Sequence, residues 1–579
     1  MLQKIKFLPY TFLAAFCLLF SASAAARTAA ASPVGAGDAY KAIVQLFAYD
    51  AEGKLLREGT AFFIGAEGEA ATTFQMLSGA ARAEVIDTKG KKYAVGRILG
   101  PNATTDLVKF SVEGTKDQPF FALTSQAAAE GTPLLLLPAR AGKKAKPMEV
   151  KVTATEPYND FRYYDLSLPN EAAHVGLPLF TAEGVLAGIV QGNVQKEAQT
   201  ACAIDARFLS LLNISSTSAL QKDLREIAIP KALPNDPDEA LTYLFMLKSA
   251  DPAALPVAYD DFVAQWPGLP DGYVNRATLK ASQQQFEAAE TDFQTAIEKA
   301  QLSPAVAMKE DAVRYQLSTL IVSTLQQHGE AAAPTANWTL ERAEAEAQKA
   351  YELSPGPLYL MQRGYCRFAQ KNYAGAYECF EAASANASFA SPETFFTAAR
   401  ALELSGGDSL RVLALLDSCV ARLPQPLSAR DAQYVLERVA RQLKAQRYRE
   451  AVAGYNEYEK AIGPRNLTGQ FYYLRSQAEM EAHMYQQALD DIRTAIAVTE
   501  QPLAYRLEEA FILLRVGEFE AAAEAAEKLL ADLPESPDCY RVMGIAHGEL
   551  GHKAKAKQYL ERAAALGDEV APTFIQKYQ

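Results

Sequence analysis

Cysteine, histidine and tryptophan are scarce in this chain: 6, 5 and 2 among 579 residues. Cys17 lies near the N-terminus, which leaves Cys202, Cys366, Cys379, Cys419 and Cys539. An odd, scattered set without a CxxC pair excludes a disulfide framework. Small buried hydrophobes in helix cores is the simple reading, with Cys366–Cys379 the one bridge that two helices could bring together. His174, His328, His483, His547 and His552 show no HExxH or similar spacing, so no metal site is expected, and no cofactor. Positive charge is in deficit, 57 Lys and Arg against 69 Asp and Glu, giving a net charge of -12. An acidic surface repels phosphate backbones, which makes nucleic acid an unsuitable partner. Beyond residue 20 no apolar run approaches the roughly 20 residues of a bilayer span.

What the N-terminus does have is a three-part leader. Lys4 and Lys6 form a positive start, Leu8 to Phe20 an apolar run, and Ser21 to Ala26 a small-residue Ala-x-Ala segment. That order is expected of a secretory signal peptide over residues 1–26, and of a periplasmic or otherwise exported protein. An uncleaved anchor is the rival. Cys17 does not close a lipobox-like pattern. The Ala-rich leader looks like that of a Gram-negative bacterium.

The rest divides twice. Residues 35–212 carry short apolar or alternating runs between glycine turns, such as AIVQLFAYD, AFFIG and GVLAGIV. Strands of this length without a βαβ rhythm predict an all-β barrel or sandwich. Residues 213–237 are polar and then proline-rich. Lys222 to Ile227 can form a short helix, and Pro230, Pro234 and Pro237 are expected to stop regular structure, which marks a linker. Residues 238–579 switch to a helical period with self-similarity at about 34 residues, the signature of a helix–turn–helix solenoid. In YLMQRGYCRFAQKNYAGAYECFEAAS, Gly364 falls where two helices approach closely, and Ala376, Phe380 and Ala383 share one face of the second helix.

This half resembles tetratricopeptide repeats. The small first-helix position falls on Ala277, Gly364, Ala398, Ser476, Ala510 and Gly544, with Val439 a departure. The second-helix alanine falls on Ala289, Ala343, Ala376, Ala451, Ala488, Ala522 and Ala556. Closing prolines are Pro304, Pro355, Pro424 and Pro534. About seven full repeats follow a partial pair in Glu239 to Trp266. The unit from Asp311 to Pro355 carries a longer loop.

The β half resembles trypsin-type proteases of the bacterial Deg or glutamyl-endopeptidase sort. REGTAFFIG, ATTFQMLSGA, TTDLVKF and AHVGLPLF followed by GVLAGIV stand in that family's order. The resemblance implies a double β-barrel and places Gln75 at the family's histidine, Asp106 at its aspartate and Val175 at its serine. Valine offers no lone pair and glutamine does not titrate, so nucleophilic catalysis cannot run through those positions. The altered turn Ala173–Leu177 also puts the oxyanion hole in doubt. Asp106 is expected to accept a hydrogen bond from the Gln75 amide or from local backbone, or simply to serve as a turn aspartate. His174 beside Val175 is expected to be a surface or structural residue.

A solenoid of this family lines its inner surface with first helices. Tyr365, Phe395, Tyr473, Phe511 and Arg541 lie there in this register, where aromatics suit an extended peptide or a partner helix; packing between repeats is the plainer role for some of them. The expectation is therefore a trypsin-like double barrel followed by an α-solenoid, an exported scaffold that binds a protein or peptide and is not an enzyme. A hydrolase with a non-standard site and a carbohydrate- or cell-wall-binding protein remain as alternatives.

Overall fold

The computed structural model describes residues 33–137, 146–192, 199–303, 306–329 and 336–578. The expected leader and Pro304 lie outside them. The chain forms two compact units, residues 1–283 and 284–579.

The first unit begins with two closed barrels. One is built from β1 (Ile43–Tyr49), β2 (Leu55–Phe63), β3 (Glu69–Thr72), β4 (Arg82–Ile86), β5 (Lys92–Asn102) and β6 (Leu107–Val112). The other is built from β7 (Pro133–Leu136), β8 (Met148–Tyr158), β9 (Phe161–Pro169), β10 (Pro178–Phe180), β11 (Leu186–Gln191) and β12 (Thr200–Asp205). The first closes in the order β1-β2-β3-β6-β5-β4 and the second in the order β10-β11-β12-β9-β8-β7. Read backwards, the second order is the first one shifted by six strands, so both barrels have the same connectivity. All pairings are antiparallel, and β1–β4 and β10–β7 close the rings. Alternation drives the burial. Leu46 and Ala48 of β1 and Tyr164, Leu166 and Leu168 of β9 are buried while their neighbours are less so. Two closed six-stranded antiparallel barrels are what the resemblance to trypsin-type proteases implied for this half.

Residues 213–237, expected as a linker, are instead built into this unit. Ile227 and Ile229 are buried in one core with Val44, Leu46, Val85 and Ile98 of the first barrel. The main chain pairs with that barrel as well. Gly79 N–H donates to Glu226, Ala228 N–H to the Ala80 carbonyl, and Ile98 N–H to Pro230, at 2.7–2.8 Å. A short helix, α2 (Lys222–Arg225), follows a 3-10 turn, and α1 is the single turn Phe74–Leu77. Pro230 and Pro234 lie outside helices, but Pro237 opens α3 (Pro237–Ala250), whose first amides are capped by the Asp236 carboxylate. Proline at the first helical position costs no hydrogen bond, so it starts a helix here and does not end structure. Next come α4 (Leu255–Gln265) and α5 (Pro270–Ser282). Arg97 on β5 clamps Asp261 on α4 with two hydrogen bonds, 2.7 and 2.8 Å.

The second unit is helical throughout its described residues. After α6 (Phe286–Leu302) come α7 (Glu310–His328), α8 (Leu340–Leu353), α9 (Pro357–Ala369), α10 (Tyr373–Ser384), α11 (Pro392–Leu404) and α12 (Ser409–Val420). Then follow α13 (Ala432–Lys444), α14 (Tyr448–Ile462), α15 (Gly469–Glu481), α16 (Tyr485–Ala497), α17 (Leu503–Val516), α18 (Phe519–Leu529), α19 (Pro537–Glu549), α20 (Lys553–Ala565) and α21 (Ala571–Lys577). Consecutive helices pair, α7 with α8 through α19 with α20, and each pair packs on the next. Gly364 lies at the α9–α10 crossing, where a Cβ would sit 2.3 Å from the Phe380 ring. Gly544 does the same against Leu560 at the α19–α20 crossing, at 2.6 Å. At Val439 the small residue has moved across: Gly454 on α14 faces it, and a Cβ there would lie 2.4 Å from Val439 Cγ2. All five described cysteines are free thiols. Cys366 Sγ faces Ser318 and Gln362, whereas Cys379 Sγ faces Arg367.

Candidate functional site

The three positions singled out in the β half lie on turns that meet where the two barrels touch. β3 ends at Thr72, whose hydroxyl is tied to the Thr60 carbonyl at 2.7 Å. The chain then makes α1, with Phe74 and Leu77 buried and Gln75 exposed. Asp106 stands in the turn between β5 and β6 with φ +47, a left-handed conformation that aspartate tolerates better than most residues. Asn102 shapes that turn by accepting from the Thr105 N–H at 2.9 Å and from its hydroxyl at 3.0 Å.

Asp106 Oδ1 accepts the main-chain N–H of Gln75 at 2.9 Å. Of the bonds foreseen for Asp106, the structure contains one to the backbone. Burial raises the Asp106 pKa, and the amides of Gln75 and Phe74 oppose that rise. The carboxylate thus caps the free amides of α1.

Val175 arrives from the second barrel on a 3-10 turn, Ala172–His174. Gly176, the next residue, has φ +81, and a Cβ there would lie 3.4 Å from Thr73 Cγ2. The Val175 turn therefore packs beside the start of α1. Gln191, at the end of β11, is buried and donates its side-chain amide to the Thr105 carbonyl, one residue before Asp106. Sequence reasoning missed Gln191, although a glutamine closing an otherwise apolar strand was the available signal.

The amides from His174 to Leu177 are engaged. His174 N–H donates to Glu171, Val175 N–H to Ala172, Gly176 N–H to Val190 and Leu177 N–H to His174, at 2.8–3.3 Å. An oxyanion hole needs N–H groups pointing at an incoming oxygen, and these four point at carbonyls. His174 Nδ1 lies 3.1 Å from the Pro169 carbonyl, so its ring is turned to its own loop.

The five candidates of the helical unit all lie on first helices of pairs, but they do not form one cluster. Tyr365 on α9 packs edge-on to Phe380 at 5.2 Å and is 37% exposed. With Tyr315, Leu358, Met361, Phe389 and Glu393 it lines a groove of about 310 Å³. Burial raises the Tyr365 pKa, and Glu393 adds to the rise. Phe395 on α11 is covered by the Arg422 guanidinium, 4.4 Å from its ring centre. Tyr473 on α15 faces Tyr505 at 5.5 Å. Phe511 and Arg541 meet each other, with the guanidinium 5.2 Å from the ring. Arg541 is also held by Asp538 at 2.6 Å and by Asp568.

A second, larger groove of about 550 Å³ is lined by Leu436, Leu443, Tyr455, Tyr458, Phe471 and Leu474 of α13, α14 and α15, with polar Asn466, Thr468 and Gln470.

No family model matches this chain. No curated protein matches it either. Among solved structures, the serine endoprotease from Yersinia pestis is similar over 34% of this chain and 68% of that one, with 16% identity and a TM-score of 0.26.

Proposed function

We propose that this protein is an exported, non-catalytic binding scaffold. In this reading a trypsin-like barrel pair has lost its chemistry, and tetratricopeptide-like helix pairs present grooves to a protein or peptide partner. One observation carries it. The residue at the nucleophile position is Val175, and every amide from His174 to Leu177 is spent on a carbonyl of the same barrel. A nucleophile, its base and an anion site are the minimum for acyl transfer, and here all three positions hold something else. Tyr365 in one groove, and Tyr455, Tyr458 and Phe471 in the other, supply the kind of surface on which aromatic anchors bind.

The test has two arms on the full chain. Incubation with a fluorophosphonate and a casein substrate should give neither labelling nor cleavage above background; a labelled residue overturns the loss of chemistry. Photo-crosslinkers placed at positions 365 and 474 should trap one discrete protein or peptide in cells, whereas one at the exposed Glu524 of α18 should not. Equal trapping at all three positions, or none, overturns the scaffold reading.

A further inference from the structure

The segment expected to be a linker forms one wall of a cavity of about 400 Å³, closed on its other side by α3 and α4. That volume lies within the range of small-molecule sites, about 300–1,000 Å³. Much of the wall is apolar, supplied by alanines together with Leu247 and Val257. Four polar side chains enter it: Arg225, Lys231, Tyr243 and Asp251.

Those four groups have capacity to spare. Lys231 Nζ donates to the Ile227 carbonyl at 2.6 Å, which uses one of its three protons. Tyr243 is 2% exposed, and its hydroxyl makes no hydrogen bond to another described residue. That hydroxyl is therefore free to bond with a ligand in the cavity that it lines. The charges are two positive and one negative, so the lining attracts an anion. Burial lowers the Lys231 pKa and the nearby Asp251 carboxylate opposes this, so an added negative charge beside the amine is favoured. Asp251 also helps to raise the Tyr243 pKa, after burial, and all three side chains line the same cavity.

We propose that this cavity binds a small carboxylate with an apolar chain, its head between Lys231, Arg225 and the Tyr243 hydroxyl and its chain along Leu247 and Val257. Two cationic side chains against one carboxylate, in a lining otherwise mostly of alanines, Leu224, Leu247 and Val257, ask for that amphiphile. A polar anion such as phosphate would leave the apolar wall unfilled. An apolar amine would meet two cations. The site is independent of the barrel turns and of the helix-pair grooves, and its test does not depend on the scaffold reading.

The experiment is calorimetric titration of the full chain with octanoate, octanol and octylamine. Octanoate should bind saturably with one site, and the alcohol and amine at least tenfold more weakly. Lys231→Met should weaken octanoate tenfold or more, while Lys231→Arg should retain most of the binding. Val257, 42% exposed at the mouth, offers a second route: Val257→Trp should block octanoate while leaving the melting temperature near that of the parent. Absent octanoate binding, equal binding of octylamine, or binding that survives both Lys231→Met and Val257→Trp would each overturn the proposal.

Discussion

Two helix crossings in the second unit solve one packing problem in opposite ways. Where α9 meets α10, the first helix is bare at Gly364 and the second supplies the bulk of Phe380. Where α13 meets α14, the first helix carries Val439 and the second is bare at Gly454. Both keep the backbones close, because only one of the two facing positions has to lack a side chain. What is fixed is the summed size across the crossing, and a rule that watches a single position reads the second crossing as a defect.

The largest effect should come from overfilling the first crossing. Gly364→Val puts a branched side chain into the Phe380 ring, and is expected to destabilise by about 3 kcal/mol or more, seen as an early melting step by circular dichroism. A parent-like melt would show that the crossing has slack. Next, Gly454→Ala should cost about 1–3 kcal/mol, and Val439→Ala a comparable amount through the cavity it leaves. Their double variant should be more stable than the sum predicts, with a coupling of about 1 kcal/mol or more. Strict additivity in the double-mutant cycle would end the argument for exchanged sizes.

A third crossing, between α15 and α16, packs charge where the others pack bulk. Arg475 is held by Asp491 at 2.6 and 2.8 Å and by Glu459 at 2.6 Å, with Asn456 also on its guanidinium. Tyr472 donates to Glu459 in the same cluster. Glu479, one turn after Arg475, is buried with one carboxylate oxygen unpartnered. Burial and then the Asp491 charge push its pKa up to about 8, against a smaller pull from Arg475, with Asp490 adding to the rise. A folded-state pKa above the unfolded one means the folded chain holds the extra proton. Stability is then greatest below the ordinary carboxylate range and is lost as pH rises from there through about 8. Glu479→Gln should flatten that slope, by on the order of 1 kcal/mol across the window. A variant whose melting temperature tracks pH as the parent's does would remove Glu479 as its source.

The smallest expected effect is in the first unit. The double change Gln75→His with Val175→Ser should yield no hydrolysis above background, because the amides around Val175 stay bonded to carbonyls. A gain of turnover would show that side chains alone had silenced these turns.

The barrels were legible because strand alternation and glycine turns repeat twice over residues 43–205, and the helix pairs because small residues recur at their crossings. Gln75, Asp106 and Val175 were found as members of an ordered set of motifs, and the structure places their turns beside one another. The Gln191–Thr105 bond was not legible, since it joins residues far apart in the chain through a side chain with no motif of its own. Residues 213–237 misled for a different reason. Proline and polarity mark an absence of regular structure, but they do not say whether irregular chain is free or packed. Ile227 and Ile229 flank a single alanine, and that brief alternation was the only local sign of their burial. The five aromatic and arginine candidates fell on first helices as the period required. Which of them already had partners depended on Arg422, Tyr505 and Asp568, each lying outside its candidate's own helix.

The salt link between Arg97 and Asp261 spans 164 residues of sequence, and the core it guards is finished by side chains as late as Phe262. A chain made from its N-terminus has all the strands of its second barrel, which end at Asp205, before the first barrel has its complete core. Contacts so distant along the chain form slowly, so the earlier barrel waits half-dressed while the later one closes. A translation product arrested before α4 would therefore be protected from protease at its middle and open at its beginning.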